Sequence, residues 1–262
     1  NSSFISQGLS ETELIAFDSS YKTFLTNIEI AANGWWNGSQ TGLLDSYPSA
    51  SAAYSVRALN SAYTGALLRV RRSSDNAEQD IHAMADGNLD TTSLLSFVGA
   101  NDGFVVTWYD QSGNGLDVTN TTASNQPQIV SSGVLETQGT KASLVADGTK
   151  YLTIPSGFNH SGTLTGIGVK YTDGSPSHAI YQIGAVNQAG NLFSTPTVST
   201  SRNSVGKESV IGVSSINQHQ IQSGFFTNGR QDVWVNGVKG GTQSSVAMAT
   251  ATNLPLFIGA LS

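Results

Sequence analysis

Short runs of strand-forming residues, each closed by glycine, asparagine or serine, recur through most of this 262-residue chain. That rhythm constrains the fold most, because strands without helices between them pair as antiparallel sheets. Residues 67–72 (LLRVRR) alternate Leu68 and Val70 with Arg69 and Arg71, and residues 104–109 (FVVTWY) form a second strong run. Further runs lie at 142–146, 151–154, 164–171, 179–183 and 191–194, then at 209–214, 220–226, 232–235 and 254–258. Asn236-Gly237, after the run ending at Val235, has the chemistry of a two-residue hairpin turn. Asp90 caps a short predicted helix to Val98, with Leu94, Leu95 and Val98 on one side. Residues 52–59 have helical composition, and Asp75, Asn76, Glu78 and Asp80 read as a solvated acidic loop. The last run lies near Ser262, so closure of the domain by residues beyond it is expected.

The first 33 residues obey a different period. Ser10 and Glu13 make a capping-box pattern, and Leu14, Phe17, Tyr21, Phe24, Ile28 and Ala31 follow in alternating steps of three and four. Asn33-Gly34 supplies a stop. Two readings of this helix stand open: it packs its stripe on its own domain, or Leu14, Phe17, Tyr21, Phe24 and Ile28 form a seam that assembles a homo-oligomer such as a trimer. Trp35 and Trp36 follow in a glycine-rich linker, placed either to stack on sugar rings or to anchor the helix. The division is therefore an attachment segment over 1–49 and a β domain over 50–262.

Charge narrows the function classes. Only 11% of residues are charged, and 12 Lys and Arg stand against 18 Asp and Glu, a net charge of −6. No basic stripe exists to neutralise phosphates, so a nucleic-acid partner is not expected. The chain has no Cys, which excludes disulfides, thiolate metal sites and a cysteine nucleophile. No apolar run is long enough to span a membrane, and the opening NSSFISQGLS lacks the charged-then-apolar order of a signal peptide. His82, His160, His178 and His219 are scattered without metal-ligand spacing. No nucleophile elbow or phosphate loop is present, so no cofactor is expected.

Two features carry candidate chemistry. Asp110, Gln111, Ser112 and Asn114 cluster in one turn with Gly113 and Gly115. Asp110 and Asn114 suit glycan hydroxyls or Ca²⁺, but the same residues cap their own backbone in turns, and that structural reading is favoured. Trp234 lies between Val233 and Val235 in a strand pattern. If the valines face the core, its ring faces outward, where a sugar can stack; otherwise it is itself core.

Residues 53–81 (AYSVRALNSAYTGALLRVRRSSDNAEQDI) followed by 104–120 (FVVTWYDQSGNGLDVTN) resemble the catalytic domain of the α-L-arabinofuranosidase B family. Residues 232–241 (DVWVNGVKGG) with 256–260 (LFIGA) resemble the end of laminin-G and concanavalin-like domains. The resemblance implies a β-sandwich jelly roll and, where catalytic groups are present, arabinoside hydrolysis. The family places its nucleophilic Glu before an N-N-L-F-S word, with an Asp two residues earlier. Matching that word to residues 190–194 puts Ala189 and Asn187 at those places, and Leu261 follows the I-G-A word where the family has its acidic Asp. The family's vicinal cysteines are absent as well. A retaining glycosidase needs two carboxyl groups, so this matching predicts no catalytic residue and a chain that is not an enzyme. If catalysis survives, its carboxylates come from Asp110, Asp147, Asp173 or Asp232.

The expectation is thus an all-β chain: a concanavalin-like antiparallel β-sandwich (jelly roll) with a short N-terminal α-helix. Its expected work is that of a non-catalytic virion or cell-surface attachment module, a fibre, spike or appendage. Its partners would be a glycan or host surface receptor and other virion or surface proteins. Trp35, Trp36, Asp110, Asn114 and Trp234 are the candidate glycan contacts, and no metal site is expected. A glycoside hydrolase of arabinofuranosidase type is the alternative.

Overall fold

The computed structural model describes residues 42–160, 163–172, 178–183, 191–194, 198–202, 208–212, 218–227, 230–244 and 251–259. The expected helix of residues 10–33, with Leu14, Phe17, Tyr21, Phe24 and Ile28, lies outside them, as do Trp35 and Trp36. The fold is an all-β sandwich in which every recorded strand pairing is antiparallel. Its described residues fall into two compact units, one spanning 42–158 with 255–259 and the other 159–254.

In the first unit a one-turn helix α1 (Leu43–Ser46) precedes β1 (Ala66–Arg72) and β2 (Glu78–His82). Helix α2 (Thr91–Val98) leads to β3 (Gly103–Trp108), β4 (Val118–Thr119) and β5 (Gln128–Ser131). Short pairs follow as β6 (Val134–Leu135), β7 (Thr137–Gln138) and β8 (Lys141–Ala142), then β9 (Tyr151–His160). The main sheet runs β9-β4-β3-β1-β2, and β5 also pairs with β3.

Alternation decides its two faces. Leu68, Val70, Val105, Val118 and Leu152 lie at or below 1% exposure on the apolar side. Each such side chain contributes about 1.5–3 kcal/mol when fully buried. Helix α2 begins where Asp90 accepts the Ser93 amide at 2.9 Å, a cap worth about 1 kcal/mol. It buries Leu94 and Val98.

Two local expectations change. Residues 52–59 form no helix, because side chains of the 110–114 turn take up several of their backbone groups. The acidic run after Arg72 enters β2, which places Asp80 directly across from Arg69. Opposite charges facing each other across a strand pair favour that register.

The second unit holds β10 (Thr163–Thr172), β11 (His178–Ile183), β12 (Asn191–Ser194), β13 (Val198–Arg202) and β14 (Glu208–Gly212). It continues with β15 (Gln218–Thr227), β16 (Arg230–Val235) and β17 (Val238–Ser244). The last strand, β18 (Ala251–Gly259), has residues in both units. Strands β10-β15-β16-β17 make one sheet, while β11 to β14 pair in chain order. Asn236 and Gly237 join β16 to β17 with φ of 49° and 74°, the pair of positive values a two-residue hairpin turn needs. A Cβ on Gly166 would come within 2.1 Å of the Tyr181 ring. Glycine at that position is what lets the ring of β11 lie against β10.

Candidate functional site

Strand β3 delivers the chain into Tyr109 and the 110–115 turn. Asp110 is 6% exposed and Gln111 is 3% exposed. Asp110 Oδ1 accepts the Ala53 amide at 2.8 Å and the Ser112 amide at 2.9 Å. Its Oδ2 accepts the Ser112 hydroxyl at 2.7 Å and the Leu116 amide at 3.1 Å. Gln111 donates to the carbonyls of Ser55 and Arg57 at 3.1 and 2.9 Å and accepts the Leu59 amide at 2.7 Å. Asn114 donates to the carbonyls of Ala50 and Ser51 at 3.0 and 3.1 Å. Gly113 and Gly115 adopt φ of 89° and 70° with nothing near an added Cβ, so backbone conformation alone calls for glycine there.

The turn is therefore a clamp on residues 50–59. Both polar residues proposed for glycan contact, Asp110 and Asn114, direct their side chains at that backbone. The Tyr54 hydroxyl donates to the Leu116 carbonyl. Burial first, then the Asp110 and Asp117 charges, push its pKa far above the ordinary tyrosine range. Among the described residues no group of three or more His, Cys, Asp or Glu could hold a metal ion.

Beside the clamp lies a second polar constellation. Arg69 Nε and Nη2 donate to the two oxygens of Asp80, both at 2.8 Å, and the Tyr109 hydroxyl donates to Asp80 Oδ1 at 2.8 Å. The Arg69 hydrogen bond is the largest influence lowering the Asp80 carboxyl below its ordinary range. Burial and the same carboxylate push Tyr109 up to about 12. Arg71, 9% exposed, donates to Gln126 Oε1 at 2.8 Å and Asn76 Oδ1 at 2.9 Å, with its guanidinium 5.1 Å from the Phe104 ring centre. Sequence reasoning missed the Tyr109 contact. The signal for the rest was present: two arginines on one side of a strand call for acceptors across it.

In the second unit Trp234 is 3% exposed and clusters with Phe225 and Ile167. Val233 and Val235, at 0% and 8%, are buried too. Both sides of β16 are covered, so of the two readings of Trp234 the outward ring is corrected and the core position holds. Asp232 is fully buried, 3.7 Å from the Lys239 ammonium. Asp147 is exposed and bonds Thr149 at 2.7 Å, while Asp173, Asn187, Ala189 and Leu261 lie outside the described residues.

The family described as "Alpha-L-arabinofuranosidase B, catalytic" matches residues 45–189. A "Probable alpha-L-arabinofuranosidase B" of Aspergillus flavus is 40% identical over 73 residues, covering 28% of this chain and 14% of that protein. An "Alpha-L-arabinofuranosidase B" of Aspergillus oryzae has the same identity and coverage. The solved structure of an arabinofuranosidase complexed with arabinofuranosyl-α-1,2-xylobiose superposes with a TM-score of 0.58 at 14% identity, over 79% of this chain and 54% of that one. An α-L-arabinofuranosidase soaked with a cyclic sulfate inhibitor gives 0.55 at 14% identity, over 80% and 55%. These two structures establish likeness of fold. The chain spans about half the length of the solved relatives and a small part of the curated ones.

These findings overturn the expectation of a chain that is not an enzyme. That expectation rested on short words matched around residues 190–194 and 258–261 and on the missing cysteines, whereas the family match, made to a catalytic domain, takes in the whole of residues 45–189. The relatives are arabinofuranosidases, and none of them supports the virion or fibre reading. With the match covering more than half of its 262 residues, this chain belongs to the α-L-arabinofuranosidase B catalytic family.

Proposed function

We propose that this protein is a glycoside hydrolase of the α-L-arabinofuranosidase type, acting outside the cell on arabinofuranosyl branches of a polysaccharide. The observation that carries the reading is the catalytic-domain match over residues 45–189. The clamp built from Asp110, Gln111 and Asn114 lies inside that stretch and supports it as a fold determinant.

Cleavage needs a carboxyl group as acid and a second as nucleophile or base, about 5–5.5 Å apart for retention and about 6.5–9.5 Å for inversion. Asp110 is not one of them: its oxygens already accept four hydrogen bonds that hold the turn together. The acids to test are Asp147, Asp173 and Asp232. Release of nitrophenol from 4-nitrophenyl α-L-arabinofuranoside by the purified protein is the expected result. One Asp→Asn change among the three should lower kcat by about a thousandfold or more, as loss of an essential catalytic group does. No release by a folded, soluble preparation would refute the reading.

A further inference from the structure

Strand β10 is one edge of the β10-β15-β16-β17 sheet, and β17 is the other. The pairing of β10 with β15 runs without a shift from Thr163 opposite Thr227 to Thr172 opposite Gln218. An antiparallel strand paired on one side only points every second N–H and C=O outward. Among the described residues, 164–170 make no hydrogen bond beyond the ladder to β15. A straight row of backbone donors and acceptors is thus left open along the strand.

Two other edges are blunted. Strand β2 carries Glu78, Asp80 and His82 and shifts register against β1. Strand β17 shifts register against β16 and carries the exposed Lys239. Irregular pairing and charged side chains are how an edge turns other strands away. Strand β10 has neither guard. It holds no proline, and its one charged residue, Lys170, is half-buried on the side of Gly166 and Gly168. That side packs on β11, because Cβ atoms at both glycines would strike Tyr181 and Ile180. The opposite side sets Ile167, packed on Phe225 and Trp234, between two exposed residues, Thr165 and Val169. Val169 is 66% exposed.

The strand is complementary to itself. Two copies laid antiparallel about Ile167 put Val169 of each across from Thr165 of the other, and Lys170 across from Leu164. Cross-strand neighbours project to the same side, so the two exposed positions cover each other and no like charges meet. A two-fold axis repeats each of these contacts. An unrelated extended peptide would gain the backbone bonds without that reciprocity.

We propose that β10 is an association edge for a second copy of this chain, joining two four-stranded sheets into one through antiparallel β10–β10 pairing about Ile167. This goes beyond the hydrolase reading and does not depend on it.

Light-scattering mass of the full chain over a dilution series should pass from dimer to monomer. Val169→Lys adds a charge at an exposed edge position and should weaken the dimer at least about tenfold. Because the chain has no Cys, introduced cysteines report the register. Mild oxidation should link Ile167→Cys into a covalent dimer. Val169→Cys, whose counterpart lies about 13 Å along the strand at about 3.3 Å per residue, should stay unlinked. Should Val169→Lys fail to fold, the two cysteine variants carry the comparison. A mass that stays monomeric to a concentration of about 0.1 mM, a dissociation constant weaker than that value, overturns the proposal. So does a dimer that Val169→Lys leaves intact, or one in which Val169→Cys links and Ile167→Cys does not. A monomer that captures a synthetic peptide of residues 163–172 but never pairs with itself overturns the second copy as occupant.

Discussion

Replacing Asp110 by Asn tests the clamp, because it changes one heavy atom and almost no volume. The carboxylate accepts four hydrogen bonds, two on each oxygen, from Ala53, Ser112 (twice) and Leu116. An amide keeps one acceptor oxygen and turns the other into a donor. If the amide nitrogen replaces Oδ2, it faces the Leu116 N–H, while the Ser112 hydroxyl can rotate to accept. If it replaces Oδ1, it faces two backbone N–H groups. Between one and two bonds to a charged acceptor are therefore lost, each worth about 1.5–3 kcal/mol. The expected loss is about 3 kcal/mol, near the middle of that range. For domains of this size a loss of 1 kcal/mol lowers Tm by about 2–4 °C, so Asp110→Asn should melt about 6–12 °C lower. Asp110→Ala, which loses all four bonds, should fall further. Calorimetry decides the matter, and the melting of two compact units should be fitted without assuming one transition. A shift below about 2 °C for Asp110→Asn, with residues 50–59 still protected from proteolysis, would refute the clamp.

Gly166→Ala puts a Cβ within 2.1 Å of the Tyr181 ring; it should cost about 1–3 kcal/mol by overpacking, and Tyr181→Ala should recover part of that in a double-mutant melt. Leu94→Ala empties a fully buried position on α2 and should cost about 2–5 kcal/mol in a denaturant titration. Tyr109 is pushed up to about 12, so its stabilising contribution is complete below the ordinary tyrosine value near 10 and is lost as pH rises towards 12; ultraviolet titration of tyrosinate should lose its latest accessible step in Tyr109→Phe. Burial pulls the half-buried Lys170 amine down to about 8, so its protonation weakens the fold as pH falls from about 10.4 through 8. Lys170→Met should therefore stabilise the protein at pH 7, by at most about 1 kcal/mol after solvent screening, and the gain should shrink in melts run near pH 10.

The strands were legible because apolar alternation reports burial on one side. Residues 67–72 and 104–109 reappear almost unchanged as β1 and β3, and Asp90 caps α2 as its chemistry predicts. Alternation misled where both sides of a strand are covered. Val233, Trp234 and Val235 are all buried, so the sequence could not say which way the tryptophan points into packed surroundings. Residues 52–59 misled for a different reason. Their composition suits a helix, yet Gln111 and Asp110, more than fifty residues away in sequence, take the backbone donors of Leu59 and Ala53. Long-range side-chain capping of that kind leaves no local periodicity to read. The Arg69–Asp80 pair had a partial signal, the arginines of LLRVRR, but its partner is set by sheet register, which a single strand does not encode.

The residues that resemble the family most specifically, Asp110, Gln111, Ser112 and Asn114, spend their polar groups on backbone and on one another. A motif can mark a family while performing no chemistry, because holding residues 50–59 against the end of β3 constrains sequence as tightly as catalysis does. Each side chain of the motif must offer donors or acceptors at fixed places, and Gly113 and Gly115 must reach positive φ. The acid of the motif is then spent on structure, and the reacting groups must be sought among the other acids. That separation explains how a short word around residues 190–194 pointed away from catalysis while the match over 45–189 points towards it. It also orders the experiments: Asp110→Asn should lose stability before it loses turnover per folded molecule, whereas a true catalytic acid should lose turnover with its melting temperature intact.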